Sequence, residues 1–450
     1  MPRSKSAKLS QPLFSEPIFN EGVPSADPTQ FKTPVTDDKL YTSELQKLLV
    51  KDVVSFDPAT NKPGDVFSLA TAWGSHGAEI IQSIQTAKAI NFHMIGDSGA
   101  SATRTFPSMI KVSDAVTSDF HTSAAASRPS FLFHLGDIVY NFGESLYYYD
   151  QFYEPFRNYP APIFAVPGNH DSFVVPNTPR GSEPLTTFAR NFCNQSIVVT
   201  QEAGSLHRTA MTQPGVYFTL DAPYVRIIGL FSNSLEDPGV ISSETDTKGK
   251  KKWPTVPDYQ LDFLTAQLQN IKTSNYAGAV ILAVHHPPFS YSPPTGPTGG
   301  GKHTGNSVML GQIDAICKTV GVYPHAFISG HAHNYQRYTR SVNFGGKKFT
   351  VPFIVCGDSG HNVNPLVNPH FGKAAPEPGD KVDVGYLDVN PAVQSTGLIL
   401  NRHDQKDSGY LRVTANATQL VITFNPVSRT GAAAASPDTV TVNLANHTAA

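Results

Sequence analysis

Phe131-Leu132-Phe133-His134-Leu135-Gly136-Asp137-Ile138-Val139-Tyr140 is the stretch on which the reading of this chain turns. A largely apolar run of strand length stops at a glycine, and a carboxylate follows in the turn. The same texture recurs at 92–95, 163–166, 225–231, 280–284 and 326–329. Such runs read as buried strands with loops at their carboxyl ends. Helical patterns lie between them, the clearest at 258–273. There Leu261, Phe263, Leu264, Leu268 and Ile271 form one broad apolar stripe, and Asp258 stands where it can cap the start. Strands alternating with helices imply a layered α/β architecture. Segments 349–356, 409–414 and 419–424 alternate like antiparallel strands and would finish the second sheet of a sandwich.

Working outward, residues 1–85 are rich in Pro, Asp, Thr and Ser, with one helical stretch near 43–50. They are expected to form an extension packed on a main domain at 86–430, with 431–450 as a tail. Three long loops, at 171–215, 234–253 and 290–306, are candidate walls or lids of a site. The lysine-rich run Lys248 to Lys252 in the second reads as a solvated face.

Composition narrows the function. The 450 residues are 16% charged with a formal net charge of -2, so neither a nucleic-acid partner nor a membrane-surface ligand is expected. Cys193, Cys317 and Cys356 are widely spaced and odd in number, which fits buried free thiols rather than a disulfide framework or a metal knuckle. No apolar run approaches the about 18 residues of a membrane helix. Arg3, Lys5 and Lys8 are not followed by an apolar run of signal-peptide length, so a cytoplasmic protein is expected from the sequence as written.

Five short motifs follow the apolar runs in order: Gly96-Asp97-Ser98-Gly99, Gly136-Asp137-Ile138-Val139-Tyr140, Gly168-Asn169-His170-Asp171, His285-His286-Pro287 and Gly330-His331-Ala332-His333. Oxygen and imidazole donors at strand ends, with glycine freeing the backbone to turn, are what a rigid metal cradle needs. His331 and His333 flank a small alanine, so both rings can reach one pocket. A second Gly-Asp-Ser-Gly, at 357–360 with His361 next to it, lies beyond the last histidine motif and reads as a turn. Gly296 to His303 nearly spells a nucleotide-binding loop. His303 replaces the required Ser or Thr, and the segment follows a Pro-rich loop rather than a strand, so it reads as a flexible lid.

These residues resemble the calcineurin-like metallophosphoesterase superfamily and, within it, the purple acid phosphatases. Ordinary members begin with Asp-x-His where this chain has Asp97-Ser98-Gly99, and they lack a tyrosine at the place of Tyr140. The run from Gly330 to Arg337 is similar to the purple branch's Gly-His-x-His-x-Tyr-Glu-Arg, with Gln336 in place of Glu. The likeness covers about 90–356 and implies two mixed β-sheets packed together and flanked by helices. It implies that Asp97, Asp137, Tyr140 and His333 hold a first metal, with Asp137 bridging to a second completed by Asn169, His285 and His331. A phenolate favours a trivalent ion, so ferric iron is expected there, with Fe²⁺, Zn²⁺ or Mn²⁺ in the second site. The implied activity is acid phosphatase hydrolysis of phosphate monoesters by metal-activated water; a phosphodiesterase of the same superfamily and a non-catalytic metal-binding protein are the alternatives. His170 is the candidate to bind phosphate or protonate the leaving oxygen, with Asp171 fixing its ring. His286 and His303 are candidate substrate contacts.

Overall fold

The computed structural model describes residues 66–100, 104–140, 143–172, 185–204, 206, 208–232, 239–245, 248–251, 256–291, 305, 307–366, 378–379 and 392–450. The helical stretch expected near 43–50, the loop carrying His303 and much of the three long loops lie outside these residues.

In chain order the first strands are β1 (Val66–Ser68), β2 (Ala89–Ile95), β3 (Leu132–His134), β4 (Ile163–Ala165), β5 (Phe218–Ala222), β6 (Val225–Leu230), β7 (Ala279–Val284) and β8 (Ala326–Ser329). Then follow β9 (Tyr335–Phe344), β10 (Lys347–Cys356), β11 (Ser395–Asp404), β12 (Ser408–Asn416), β13 (Gln419–Val427), β14 (Asp438–Asn443) and β15 (Thr448–Ala449). The longer helices are α1 (Gly77–Ala87), α2 (Phe106–Thr122), α3 (Thr186–Phe192), α4 (Tyr259–Thr273) and α5 (Ser307–Val320).

Two parallel groups carry the motifs. β2, β3 and β4 pair in parallel, as do β6, β7 and β8, with β10 continuing parallel to β8. Ala-Val-Ile-Leu-Ala-Val of β7 is buried at every position, as expected of a parallel strand covered on both faces. β12 and β13 are antiparallel additions beside β2, and β13 buries alternate residues. The two halves meet face to face through aromatic rings: Phe133 stacks on Phe218 at 5.9 Å, and Tyr335 on Phe424 at 3.9 Å and 5°. This is the mixed, helix-flanked α/β architecture expected of the sequence, with one refinement. The halves are joined edge to edge into a single hydrogen-bonded path by β14 and β15, which run between β13 and β10.

Residues 431–450 are therefore more than a tail. Thr439-Val440-Thr441-Val442 alternates, its two valines are buried, and Arg337 grips Asp438 at 2.6 Å. The described part of 1–85 is likewise built into the sheet, since β1 pairs in parallel with β5 and Leu69 and Ile84 are buried. Helix α4 starts one residue after Asp258, but that carboxylate makes no capping bond. It accepts instead from the amide and hydroxyl of Ser243, both at 2.8 Å, because two donors on the neighbouring loop outcompete the helix amides. Cys193, Cys317 and Cys356 are free thiols, the first half-buried and the others buried. The described lysines of the 248–252 run are exposed. Among the described residues no helix is long and apolar enough to cross a membrane.

Candidate metal centre

The carboxyl ends of β2, β3, β4, β7 and β8 open onto one place, and each delivers a motif there. The backbone pays a conformational cost to do so: Asp97, Asp137 and His331 are all left-handed, with φ of 56°, 57° and 66°. Non-glycine residues adopt this region rarely, and such strain gathers at functional sites. Gly136, at φ 101°, completes the turn before Asp137; a Cβ there would lie 2.5 Å from Gly168 N and 2.7 Å from His285 Nδ1.

Two groups of donor atoms result. In the first, Tyr140 Oη lies 3.2 Å from Asp97 Oδ1, 2.8 Å from Asp137 Oδ2 and 3.3 Å from His333 Nε2. Ligand atoms of Asp97, Asp137 and His333 fall within 4.8 Å of one another. In the second, Asn169 Oδ1 lies 2.9 Å from His285 Nε2 and 3.0 Å from His331 Nδ1, and Asp137 Oδ1 is 3.5 Å from His285 Nε2. Asp137 thus turns one oxygen to each group.

These groups fit cations better than they fit each other. His285 Nδ1 donates to Leu135 O at 2.8 Å, so the neutral ring aims its Nε2 lone pair at Asn169 Oδ1. Burial keeps that ring neutral, pushing it down to about 4. Two acceptors at hydrogen-bond distance with no proton between them repel unless a positive ion lies there. In the first group the Tyr140 hydroxyl has one proton for three acceptor-bearing neighbours. Burial and the facing Asp137 hold Asp97 well above the usual carboxylate range. For Asp137, burial is outweighed by His285, His170 and His331, leaving it at about 2. A buried pair of this kind keeps a proton that a bound cation would displace. Burial and the two carboxylates likewise raise Tyr140, the opposite of what a cation would do.

Gly99 explains why a tyrosine can stand here. A Cβ at that position would meet Tyr140 Cδ2 at 2.9 Å and Ile138 O at 2.6 Å. Gln151 Oε1 at 2.8 Å crowds the same point, so position 99 has no room for a side chain beside the phenol ring. Gln151, on a single π-helical turn at Tyr149–Tyr153, fixes the tyrosine's backbone: its Oε1 accepts from Tyr140 N at 2.9 Å and its Nε2 donates to Tyr140 O at 2.8 Å. Nothing in the local sequence distinguishes that glutamine from an ordinary helical one.

The remaining candidates separate. His170 lies beside the first group, its amide donating to Asp137 Oδ1 at 2.9 Å and its ring 4.2 Å from that of Tyr140. Asp171 does not fix the His170 ring. Its Oδ2 accepts from Asp137 N at 2.8 Å and Gly168 N at 2.9 Å, and its Oδ1 from Ile138 N at 3.0 Å and Val139 N at 3.2 Å. A carboxylate suits this place because four amides that can only donate converge on it. His286 is 2% exposed; its ring packs 4.1 Å from His331, and its Nδ1 is 2.8 Å from Ser232 Oγ. It lies two residues past the end of β7 at Val284, with its ring against that of a ligand candidate. His303 lies outside the described residues. Gln336 is explained by its partner: the amide accepts from Tyr291 N at 2.7 Å and donates to Tyr291 O at 3.0 Å, which a glutamate could not do.

None of the curated proteins matches the chain. Among solved structures it is similar at 11% identity to one described as GAP50, the anchor in the inner membrane complex of Plasmodium, with a TM-score of 0.46 over 78% of this chain and 88% of that one. It is similar at 13% identity to the structure of PhoD, with a TM-score of 0.44 over 79% of this chain and 70% of that one. The family model for calcineurin-like phosphoesterases matches residues 92–335, more than half of the chain and every candidate ligand within it, and the chain belongs to that family.

Proposed function

We propose that this calcineurin-like phosphoesterase hydrolyses phosphate monoesters as an acid phosphatase of the purple type, with ferric iron in the tyrosine-bearing group and Fe²⁺, Zn²⁺ or Mn²⁺ in the other. The observation that carries the reading is the place of Tyr140 Oη, within 3.3 Å of donor atoms from Asp97, Asp137 and His333. When bound, a cation pair would polarise the phosphate oxygens and lower the pKa of water towards about 7 for in-line attack.

The chain's own residues divide the remaining work. Asp97 and Tyr140 make the first group the more anionic, whereas Asn169, His285 and His331 are neutral donors, so the second relies on the shared Asp137. That asymmetry suits a trivalent ion beside a divalent one. Asp97 Oδ2 accepts the amide of His331 at 2.8 Å, tying the first motif to the last. Asp171 locks the Asp137 turn through four amides, which limits movement of the shared carboxylate. His170 is the candidate to hydrogen-bond phosphate or to protonate the leaving oxygen.

Metal analysis of freshly purified protein with its visible spectrum tests the assignment. Iron and a broad tyrosinate band are expected, and Tyr140→Phe should abolish the colour. Colour that survives this substitution unchanged refutes the ligand role of Tyr140. Rates on p-nitrophenyl phosphate and bis(p-nitrophenyl) phosphate separate the esters: a faster diester makes the protein a phosphodiesterase, and metal-loaded protein inert to both is a binding protein.

A further inference from the structure

His361 follows the second Gly-Asp-Ser-Gly, beyond the end of β10, and is not among the candidate ligands. Its imidazole is 6% exposed and lies flat on the phenol ring of Tyr140, with centroids 3.9 Å apart and planes 6° from parallel. Two bonds hold it there. The Nδ1–H donates to Gly99 O at 3.1 Å, and the backbone amide donates to Asp97 O at 3.0 Å. The first motif therefore carries the imidazole on the same loop that makes room for the tyrosine. His170 also packs on Tyr140, at 4.2 Å. Two rings cannot share one face at such separations, so the phenol is held between two imidazoles. The edge of the His361 ring also meets the His333 ring at 4.7 Å and 71°.

Tyr140 Oη lies on the axis of χ2, so its place depends on the backbone at 140 and on χ1, and groups packed against the ring faces resist a swing about χ1. Gln151 fixes the backbone, and the two imidazoles fix the ring. We propose that His361 is a positioning residue for Tyr140: its flat face clamps the phenol so that Oη stays on the donor atoms of Asp97, Asp137 and His333, and it keeps water off the ring. The proposal rests on Tyr140 being a metal ligand. Groups that orient ligands without touching the ion alter metal retention and electronic structure, so the signature of His361 is spectroscopic.

The test compares His361→Phe, which keeps a flat ring, with His361→Leu, which fills a similar volume without one. Each is purified beside the wild type, and the iron content, visible band and rate of iron loss to a chelator are measured. The Phe variant is expected to retain the wild-type band and retention. The Leu variant is expected to shift the band and to lose iron about 10- to 100-fold faster. A Leu variant indistinguishable from wild type overturns the clamp, as does a Phe variant that fails as badly as Leu. Iron-loaded wild type without a tyrosinate band overturns the ligand role of Tyr140 itself, and the clamp with it.

Discussion

Gly96-Asp97-Ser98-Gly99 and Gly357-Asp358-Ser359-Gly360 are the same four residues, each follows a buried strand, and the two copies lie against each other. Ser359 N donates to Gly96 O at 3.1 Å and Gly96 N to Ser359 Oγ at 3.2 Å. Their aspartates nevertheless do opposite things. Asp97 N donates to Gly136 O at 2.9 Å, the residue turns left-handed at φ 56°, and its carboxylate faces Asp137 and Tyr140. Asp358 is not among the left-handed residues, and its C=O accepts from Gly409 N at 3.3 Å, across to β12. Its Oδ1 accepts a weak bond from Cys356 Sγ at 3.6 Å, while Oδ2 is buried without a partner among the described residues. What a Gly-Asp-Ser-Gly turn does is set by the strand across from it, which decides where the carboxylate points.

The largest expected break in this comparison comes from removing each carboxylate's charge. Asp97→Asn should lower phosphatase activity on the order of a thousandfold, several kcal/mol of lost transition-state stabilisation, together with the bound metal. Asp358→Asn should leave the rate close to wild type. Steady-state rates and metal content of the two variants decide it, and equal losses would show that both copies belong to the site.

A smaller effect is expected at the serines. Ser359 Oγ accepts from Gly96 N at 3.2 Å and donates to Gly409 O at 2.8 Å, so Ser359→Ala strands two buried backbone groups. A stability loss of about 1–3 kcal/mol in denaturant unfolding follows. Ser98→Ala should cost a comparable amount, because Ser98 Oγ lies 2.7 Å from His134 Nε2. His134 Nδ1 accepts from Gly136 N at 3.1 Å, so Nε2 is the donor and Ser98 is no activated nucleophile. Covalent labelling of Ser98 by a serine-directed phosphonate would contradict that.

The smallest effect sharpens the comparison through pH. Burial, then the charge of Asp404, holds Asp358 well above the usual carboxylate range. A carboxyl raised on folding contributes stability below its unfolded pKa of about 3.9, and that contribution is lost as pH rises towards the folded value. Asp358→Asn should therefore gain on the wild type in melting temperature as pH is raised from 4 to 7, by the equivalent of about 1 kcal/mol or more. A difference that stays constant or shrinks with rising pH would mean that Asp358 is ionised and paired in the folded protein.

Much of the centre was legible in the sequence because all seven ligand candidates occur at one kind of place, just past an apolar run, and parallel strands put such places side by side. That Asn169 would lie with His285 and His331 came from the family resemblance, and parallel strand ends bring the three together. Asp171 was misread because its carboxylate turns from the adjacent His170 ring to the amides of Gly168 and of Asp137, Ile138 and Val139 in the Gly136 turn. His361 was passed over as part of a turn, although a histidine beside a repeated motif was the available signal. The strands in 431–450 went unread because the short alternation of Thr439 to Val442 gains meaning only once β13 and β10 leave an edge on either side.

By itself, then, the sequence determined which strands end in donors, and its likeness to the purple branch supplied the expectation of two cations of unequal charge and of a tyrosine at 140 with a glycine at 99. Those facts are local, since hydrophobic period, glycine and donor type are written residue by residue. Only the tertiary structure decided which oxygen of Asp137 meets which group, that Asp171 binds a turn instead of a histidine, and that His361 covers Tyr140. Each of these depends on segments 30 to more than 200 residues apart being packed within a few ångströms, and packing of that kind is settled by the whole core at once.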